Sequence, residues 1–355
     1  MSSTVKPDLG NANAGRTSNP CPFDRKGTKV QKLIKAAAIL AATIFTAVSL
    51  TACSTSSQAA EITVVVHDSV SISKELLASF TKQTGVIVHL LKAGDAGAMT
   101  NKLVLTKDAP IGDAVYGIDN TFAGVAKENK IIDGELTAID FGDVCMNYDK
   151  TWFAMHEQAA PASINDLIKP AFDGLTVIEN PTTSSTGLAF LTATVSVFGE
   201  NGWQPYWQAL KNNNVKVDAG WEDAYYTDFS GSSGKGNYPI VLSYSSSPAD
   251  EVRENGESQT EALLDSCYRQ TEYAGVLAGA KNKAVAALFV KFLKSAEFQA
   301  SLPASMYVYP IVEGTALPES WAQFAPMAAK PVGGELDVNA NRDAWLKAWA
   351  ELFAQ

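Results

Sequence analysis

The stretch EITVVVHDSVSISKELLASFTKQTGVIVHLL, residues 61–91, decides the fold. Glu61 to His67 is a β-branched run of strand type. Ser73 to Gly85 reads as a helix opened by a serine cap and stopped by glycine. Val86 to Leu91 is a second strand. Working outward, Met99 to Thr106 continues as a helix and Asp113 to Ile118 as a third strand. A βαβαβ alternation predicts a largely parallel sheet covered by helices. Further along, strands are expected at Leu175–Ile178, Val215–Asp218 and Ile240–Tyr244, and helices at Gly187–Phe198, Trp203–Lys211 and Trp221–Asp228. Two amphipathic helices close the chain: Asn282–Lys294, with Val285, Leu288, Phe289 and Phe292 on one face, and Asn341–Phe353, with Trp345, Trp349, Leu352 and Phe353. No internal repeat is visible.

Upstream, the pattern changes. Lys29, Lys32 and Lys35 precede the apolar run Ala36 to Leu50, which ends in Leu50-Thr51-Ala52-Cys53. A positive region, a short apolar core and small residues at its end make a secretory signal; the run is shorter than the roughly 20 apolar residues of a membrane span. Leu50 to Cys53 matches the bacterial lipobox, so Cys53 is the expected lipidation site, with an uncleaved anchor helix as the alternative. The folded part is then extracytoplasmic and lipid-anchored to the cell membrane. Residues 1–28 are polar and lie upstream of where signal peptides begin, which points to a start further in, such as Val30 read from a GTG codon. The expected division is 29–52 signal peptide and 53–60 tether.

With residues 1–52 removed, the remaining chain carries 21 Lys/Arg against 36 Asp/Glu. Such an acidic surface disfavours nucleic acid and anionic membranes and favours a cationic ligand. Cys145 and Cys267 are the cysteines left after Cys53. An oxidising compartment permits a bridge between them, and two free buried thiols are the other reading.

The three histidines, His67, His89 and His156, form no HExxH motif, and no Cys-x-x-Cys, Gly-x-Ser-x-Gly, Walker or Gly-x-Gly-x-x-Gly pattern occurs. Binding, without catalysis, cofactor or metal, is therefore the expected function. In an open α/β sheet, ligands sit beyond the carboxyl ends of strands. Four such ends carry polar or aromatic groups: His67-Asp68-Ser69, Asp95, Asp119-Asn120 and Tyr244-Ser245-Ser246. Asn180 to Gly187 places Thr182, Thr183, Ser184, Ser185 and Thr186 directly before an apolar helix, a pattern suited to an anion such as phosphate. Trp221 and Tyr225 lie one helical turn apart and so on one face, either in the cleft or in the core.

The segments VLSYSSSP (241–248), NPTTSSTGLAFL (180–191), GWEDAY (220–225), GIDN (117–120) and Phe141 to Lys150 in the pattern FxxxxxNYDK, together with the signal and lipobox, resemble the thiamine-binding substrate-binding proteins of bacterial ABC importers. The resemblance runs from about Ile62 to the C-terminus. It implies an α/β, two-lobed periplasmic-binding-protein-like fold of type II, each lobe a mixed, mainly parallel sheet flanked by helices, with ligand in the interlobe cleft. Residues 61–144 and 269–355, the latter with the C-terminal helices, would form one lobe, and 145–268 the other with hinge strands at its ends. It further implies thiamine, thiamine monophosphate or thiamine diphosphate as ligand, an ABC permease and its ATPase subunit as partners, and a monomer.

By motif, Tyr244 would stack on the ligand, Asp95 face it, Ser184 and Trp221 lie at its polar or phosphate end, and Tyr225 line the cleft. Ser185, Asp68 and Asp119 join them as strand-end and helix-start candidates. A Cys145–Cys267 bridge would staple the hinge. Two positions depart from the family: His67 stands where tyrosine is frequent, and Tyr307 where tryptophan is. Both keep a π-face, and His67 can become charged. Ferric iron held by the tandem Tyr225-Tyr226 is the main alternative ligand, with phosphonates and polyamines behind it.

Overall fold

The computed structural model describes residues 60–354 with the exception of Gly234. The signal, the lipobox cysteine and the tether up to residue 59 lie outside the described residues.

The opening stretch folds as its pattern predicts. Strand β1 (Ala60–Val66) is followed by α1 (Lys74–Thr84) and β2 (Val86–Lys92). Ser73 caps α1 by accepting the Leu76 N–H, and Gly85 stops it in the left-handed region at φ 73°, where its N–H reaches the Thr81 carbonyl. Helix α2 (Ala96–Leu105) starts three residues earlier than the apolar period suggests, because Asp95 is its cap. Then come β3 (Ala114–Asp119), α3 (Ala123–Glu128), β4 (Thr137–Asp149), α4 (Lys150–Met155), β5 (Thr176–Glu179), α5 (Ser185–Phe198), α6 (Trp203–Asn212) and β6 (Lys216–Asp218). A π-helical turn, Asp223–Asp228, leads to α7 (Ser230–Ser233), β7 (Ile240–Tyr244), β8 (Thr260–Ala262) and β9 (Tyr268–Val276). The chain ends with α8 (Lys283–Phe292), α9 (Ala296–Met306), β10 (Tyr309–Pro310), α10 (Trp321–Phe324) and α11 (Val338–Ala354).

The sheet runs in the order β2-β1-β3-β9-β4-β7-β5-β6, with β8 and β10 also paired to β4. β1, β2 and β3 are mutually parallel, as are β5, β6 and β7. Two antiparallel strands join these groups. The first part of β4, Thr137 to Val144, pairs with β9, and its second part, Val144 to Tyr148, pairs with β7. The two parallel groups thus run toward each other, and their carboxyl ends meet where β4 changes partner at Val144. The switch in strand direction opens a crevice there.

Neither β4 nor β9 shows a simple apolar alternation, because β4 buries polar side chains that find partners only in the folded molecule. Asp143 accepts two hydrogen bonds of 2.8 Å from Arg269 and one of 2.7 Å from the Ala328 N–H. Asn147 donates to the Cys145 and Tyr244 carbonyls, and Asp149 caps α4 and accepts from Ser230. Buried polar groups are tolerable when each is paired in this way. Cys145 on β4 and Cys267 beside β9 are joined by a disulfide.

Helix α8 buries Phe289 and Phe292 against Phe80 of α1, with ring centroids 5.4 and 5.2 Å apart. Leu288, expected on that face, is instead exposed, because Ala286 and Val290 complete the buried stripe. Helix α11, grouped with the first half in the expected division, packs Trp349 and Phe353 on Trp207 of α6 in the second half, at 5.8 and 5.9 Å. Lys211 of α6 also donates to the Leu352 carbonyl. The C-terminal helix is therefore not confined to the half that holds β1 to β3.

Candidate ligand-binding site

A cavity of about 480 Å³ opens where the two groups of strands converge. Its wall is built from strand ends and helix starts. His67 follows β1, Lys92 ends β2, Asp95 caps α2, Ser185 and Thr186 begin α5, Tyr244 ends β7, and Glu272 projects from the middle of β9. Trp221, Glu222 and Tyr226 close one side, and the end of α9, Met306 to Val308, another. The volume falls in the range of sites for small organic ligands, about 300–1,000 Å³.

The aromatic side of this wall is braced from behind. Trp221 stacks on Tyr225 at 4.8 Å with the planes 13° apart, and its Nε1 donates to Ser243 Oγ at 2.9 Å. Ser243 and Ser247 share a hydrogen bond, Ser247 Oγ accepts the Tyr244 N–H, and Ser246 Oγ donates to the Tyr307 carbonyl. The hydroxyls of Ser243, Ser246 and Ser247 thus fix the rings and the turn. Tyr244 rests on Gly142, where a Cβ would come within 2.8 Å of the ring. Tyr307 adopts a left-handed backbone at φ 58°, uncommon for a bulky residue, and its hydroxyl accepts from Tyr226 at 3.1 Å.

The polar side is dominated by carboxylates. Asp95 accepts backbone N–H bonds from Ala96 at 2.6 Å, Ser185 at 3.3 Å and Trp221 at 2.9 Å. These donors belong to the starts of three helical segments, two of them in the half opposite to Asp95. The anion expected before α5 is therefore the protein's own. The neighbouring hydroxyls are also engaged: Thr182 with Asn180, Thr183 with the Ala219 carbonyl, and Ser184 through Thr186 with the buried Glu179. Burial raises the Asp95 carboxyl above the usual carboxylate range, against the pull of His67 and the three N–H groups.

Of the expected site residues, His67, Asp95, Ser185, Trp221, Tyr244 and Tyr307 line the cavity. Four others do not. Asp68 faces an adjoining cavity of about 230 Å³ and accepts the Gly94 N–H. Ser184 is buried beneath the α5 start, and Tyr225 lies behind Trp221 with its hydroxyl turned to Glu251 at 3.0 Å. Asp119 is fully buried, held by Thr121 and the Phe122 N–H. The Tyr225 and Tyr226 rings meet edge to face, 5.3 Å apart, and their hydroxyls take different partners, Glu251 and Tyr307.

Thr186, one of the hydroxyls expected before α5, also lines the cavity, whereas sequence reasoning missed Glu272, Lys92, Glu222 and Met306. Glu272 had the least local signal: register alone sets it opposite Asp119 on one side and Asp140 on the other. Tyr116 donates to Asp140 at 2.6 Å, and burial together with Glu272 holds the Asp140 carboxyl well above its usual range.

Burial also pushes Asp119 and Glu251 up to about 7. Both keep a proton in the folded state that the unfolded chain gives up near pH 4, so unfolding releases protons between about pH 4 and 7. Stability therefore falls as pH rises through that window. The melting temperature is expected to be higher at pH 5 than at pH 7.5, and Asp119→Asn is expected to narrow the difference in a calorimetric scan.

A paired α/β molecule with an aromatic and acidic cavity at the meeting point of its strand ends has the architecture of a ligand carrier. The chain belongs to the bacterial extracellular solute-binding proteins, whose family model matches residues 112–325. The thiamine-binding periplasmic protein of Salmonella typhimurium is 28% identical over 277 residues, covering 74% of this chain and 83% of the relative. That of Escherichia coli is 27% identical over 281 residues, with the same coverages. Among solved structures, a periplasmic thiamin-binding protein superposes with a TM-score of 0.74 at 24% identity, over 83% of this chain and 96% of its own. The fold is that of the type II periplasmic binding proteins.

Proposed function

We propose that this protein is the substrate-binding component of an ABC importer that captures thiamine or its phosphates between two lobes, one of 61–144 with 269–355 and the other of 145–268, with the C-terminal helix of the first reaching across to α6 of the second, and delivers it to a membrane permease. On this reading Cys53 carries the lipid that holds it at the outer face of the cell membrane. The observation that carries the ligand assignment is the pairing of aromatic faces with carboxylates. Trp221, Tyr226, Tyr244 and Tyr307 line the same cavity as Asp95 and Glu272. Thiamine joins a flat aminopyrimidine to a thiazolium whose quaternary nitrogen cannot donate a hydrogen bond. Such a cation is recognised by π-faces, each worth about 0.5–2 kcal/mol, and by fixed negative charge. Thiamine, for which the related periplasmic proteins are named, supports the same choice.

The test is a parallel titration with thiamine, its mono- and diphosphate, Fe³⁺ and spermidine, read by tryptophan fluorescence. Thiamine or one of its phosphates is expected to bind below about 10 µM, roughly −7 kcal/mol. No response from any of the three at that level overturns the assignment. Tyr244→Ala should weaken binding by about 1–2 kcal/mol, and Tyr244→Phe by less, since the ring face carries the contact. Equal losses would assign the contact to the hydroxyl.

A further inference from the structure

His67 and Glu272 form an ion pair inside the cavity, with His67 Nε2 3.3 Å from a Glu272 carboxylate oxygen and both side chains less than a tenth exposed. The ring position is built into the sheet. It lies over Gly117 of β3, at φ 104°, where a Cβ would come within 2.1 Å of the imidazole. Both residues line the cavity, so a ligand that fills it meets the pair directly.

The surroundings of the imidazole are acidic on several sides. Asp68 lies on its own loop, Asp95 on the α2 cap and Glu272 on β9, and Glu272 in turn lies between Asp119 of β3 and Asp140 of β4 in register. Tyr244 of β7 and Tyr307 after α9 complete the wall as neutral phenols. Lys92 of β2 is the other basic residue on the cavity wall, and it is engaged by the Asp68 carbonyl and, at 3.9 Å, by Glu222. Burial lowers the affinity of His67 for its proton, and Glu272, with Asp95 and Asp68, more than offsets that, so the pKa is raised above its ordinary value.

We propose that His67 is a proton-exchange residue. In the unliganded protein its imidazolium is the counter-ion of Glu272, and a cationic ligand takes over that role while the Nε2 proton leaves to solvent. The proposal rests on the thiamine reading. A thiazolium beside a charged imidazolium would place two cations in one buried cavity, and loss of the proton relieves this with no change in the total charge of the site. Glu272 is thereby the residue that selects for a cation, and His67 holds its place until the cation arrives.

The sign of the pH effect follows. In the free protein His67 holds its proton to a pH above its ordinary value, and in the complex the ligand's charge lowers that point. Between the two, binding releases a proton, so Kd falls as pH rises, by up to about tenfold per pH unit. Below the window the proton stays on and binding is weak. Above it the site is already neutral at His67 and Kd is flat.

The experiment is calorimetric titration of the folded protein with thiamine between about pH 6 and 8, in buffers of different ionisation enthalpy, which counts the protons released. The wild type is expected to release up to one proton per thiamine. His67→Gln should release none and lose the pH slope, and Glu272→Gln should bind thiamine at least about tenfold more weakly across the range. A neutral isostere with thiophene in place of thiazolium should bind without proton release. Thiamine binding with no released proton, or a His67→Gln variant that keeps the wild-type slope, overturns the proton exchange while leaving the thiamine reading intact. No thiamine binding by the wild type at any pH overturns both.

Discussion

Asp95→Ala is expected to weaken thiamine binding by about 3 kcal/mol, on the order of a hundredfold in Kd. The carboxylate accepts from Ala96 N–H within its own helix and from Ser185 and Trp221 N–H across the cleft. Removing it leaves three donors at helix starts without an acceptor, and two of them, Ser185 and Trp221, make bonds that cross between the halves. The adjacent Ala98 N–H to Thr183 carbonyl bond, 2.9 Å, spans the same junction. Without Asp95, closing the cleft brings positive helix ends together unopposed, and part of the ligand's binding energy is consumed in doing so. Asp95→Asn should fall between wild type and alanine, since its amide oxygen still accepts one or two of the bonds but carries no charge. The measurements are Kd by titration and the change in radius of gyration on adding thiamine. A Kd within about twofold of wild type for the alanine variant would show that closure does not depend on this carboxylate.

Breaking the Cys145–Cys267 bridge is the second large effect. The two cysteines are 122 residues apart in sequence. Closing a loop of that size restricts the unfolded chain; loop length alone gives about 5 kcal/mol, and bridges of this kind typically contribute about 2–4 kcal/mol. The Cys145→Ala/Cys267→Ala double variant should therefore lose about 2–4 kcal/mol of unfolding free energy and unfold at a lower denaturant concentration. Both sulfurs lie in a small buried cluster with Ala328, away from the cavity wall, so Kd should change far less than stability. An unchanged unfolding midpoint would mean that the bridge strains the native state as much as it restricts the unfolded one.

What could be read in advance depended on whether a segment carries its own reason for its conformation. β1, α1 and β2 do: β-branched runs, a serine cap and a glycine stop are local causes. β4 and β9 do not. Asp140, Asp143 and Asn147 look wrong for central strands until Tyr116, Arg269 and the Tyr244 carbonyl are placed beside them. The same division applies to the cavity. His67, Asp95 and Tyr244 were legible because strand ends and helix starts converge in such sheets. Glu272 was not, because it reaches the cavity from mid-strand and only the register of β9 against β3 and β4 puts it there. Tyr225 was misplaced for another reason. The helical turn does bring it against Trp221, but as the ring behind the wall.

The placement of β9 also bears on how the chain comes to be folded. β3 ends at Asp119 and its antiparallel neighbour begins at Tyr268, whereas β5, β6 and β7 and most of their helices lie in one continuous stretch between them. Contacts between residues so far apart in sequence form late. As the polypeptide emerges N-terminus first, β1, β2 and β3 can pair with one another, but the free edge of β3 must wait for more than a hundred further residues to appear. The second half can assemble during that interval. An exposed strand edge is a template for wrong pairing, so the order of emergence makes β3 the segment most in need of protection before the chain is complete.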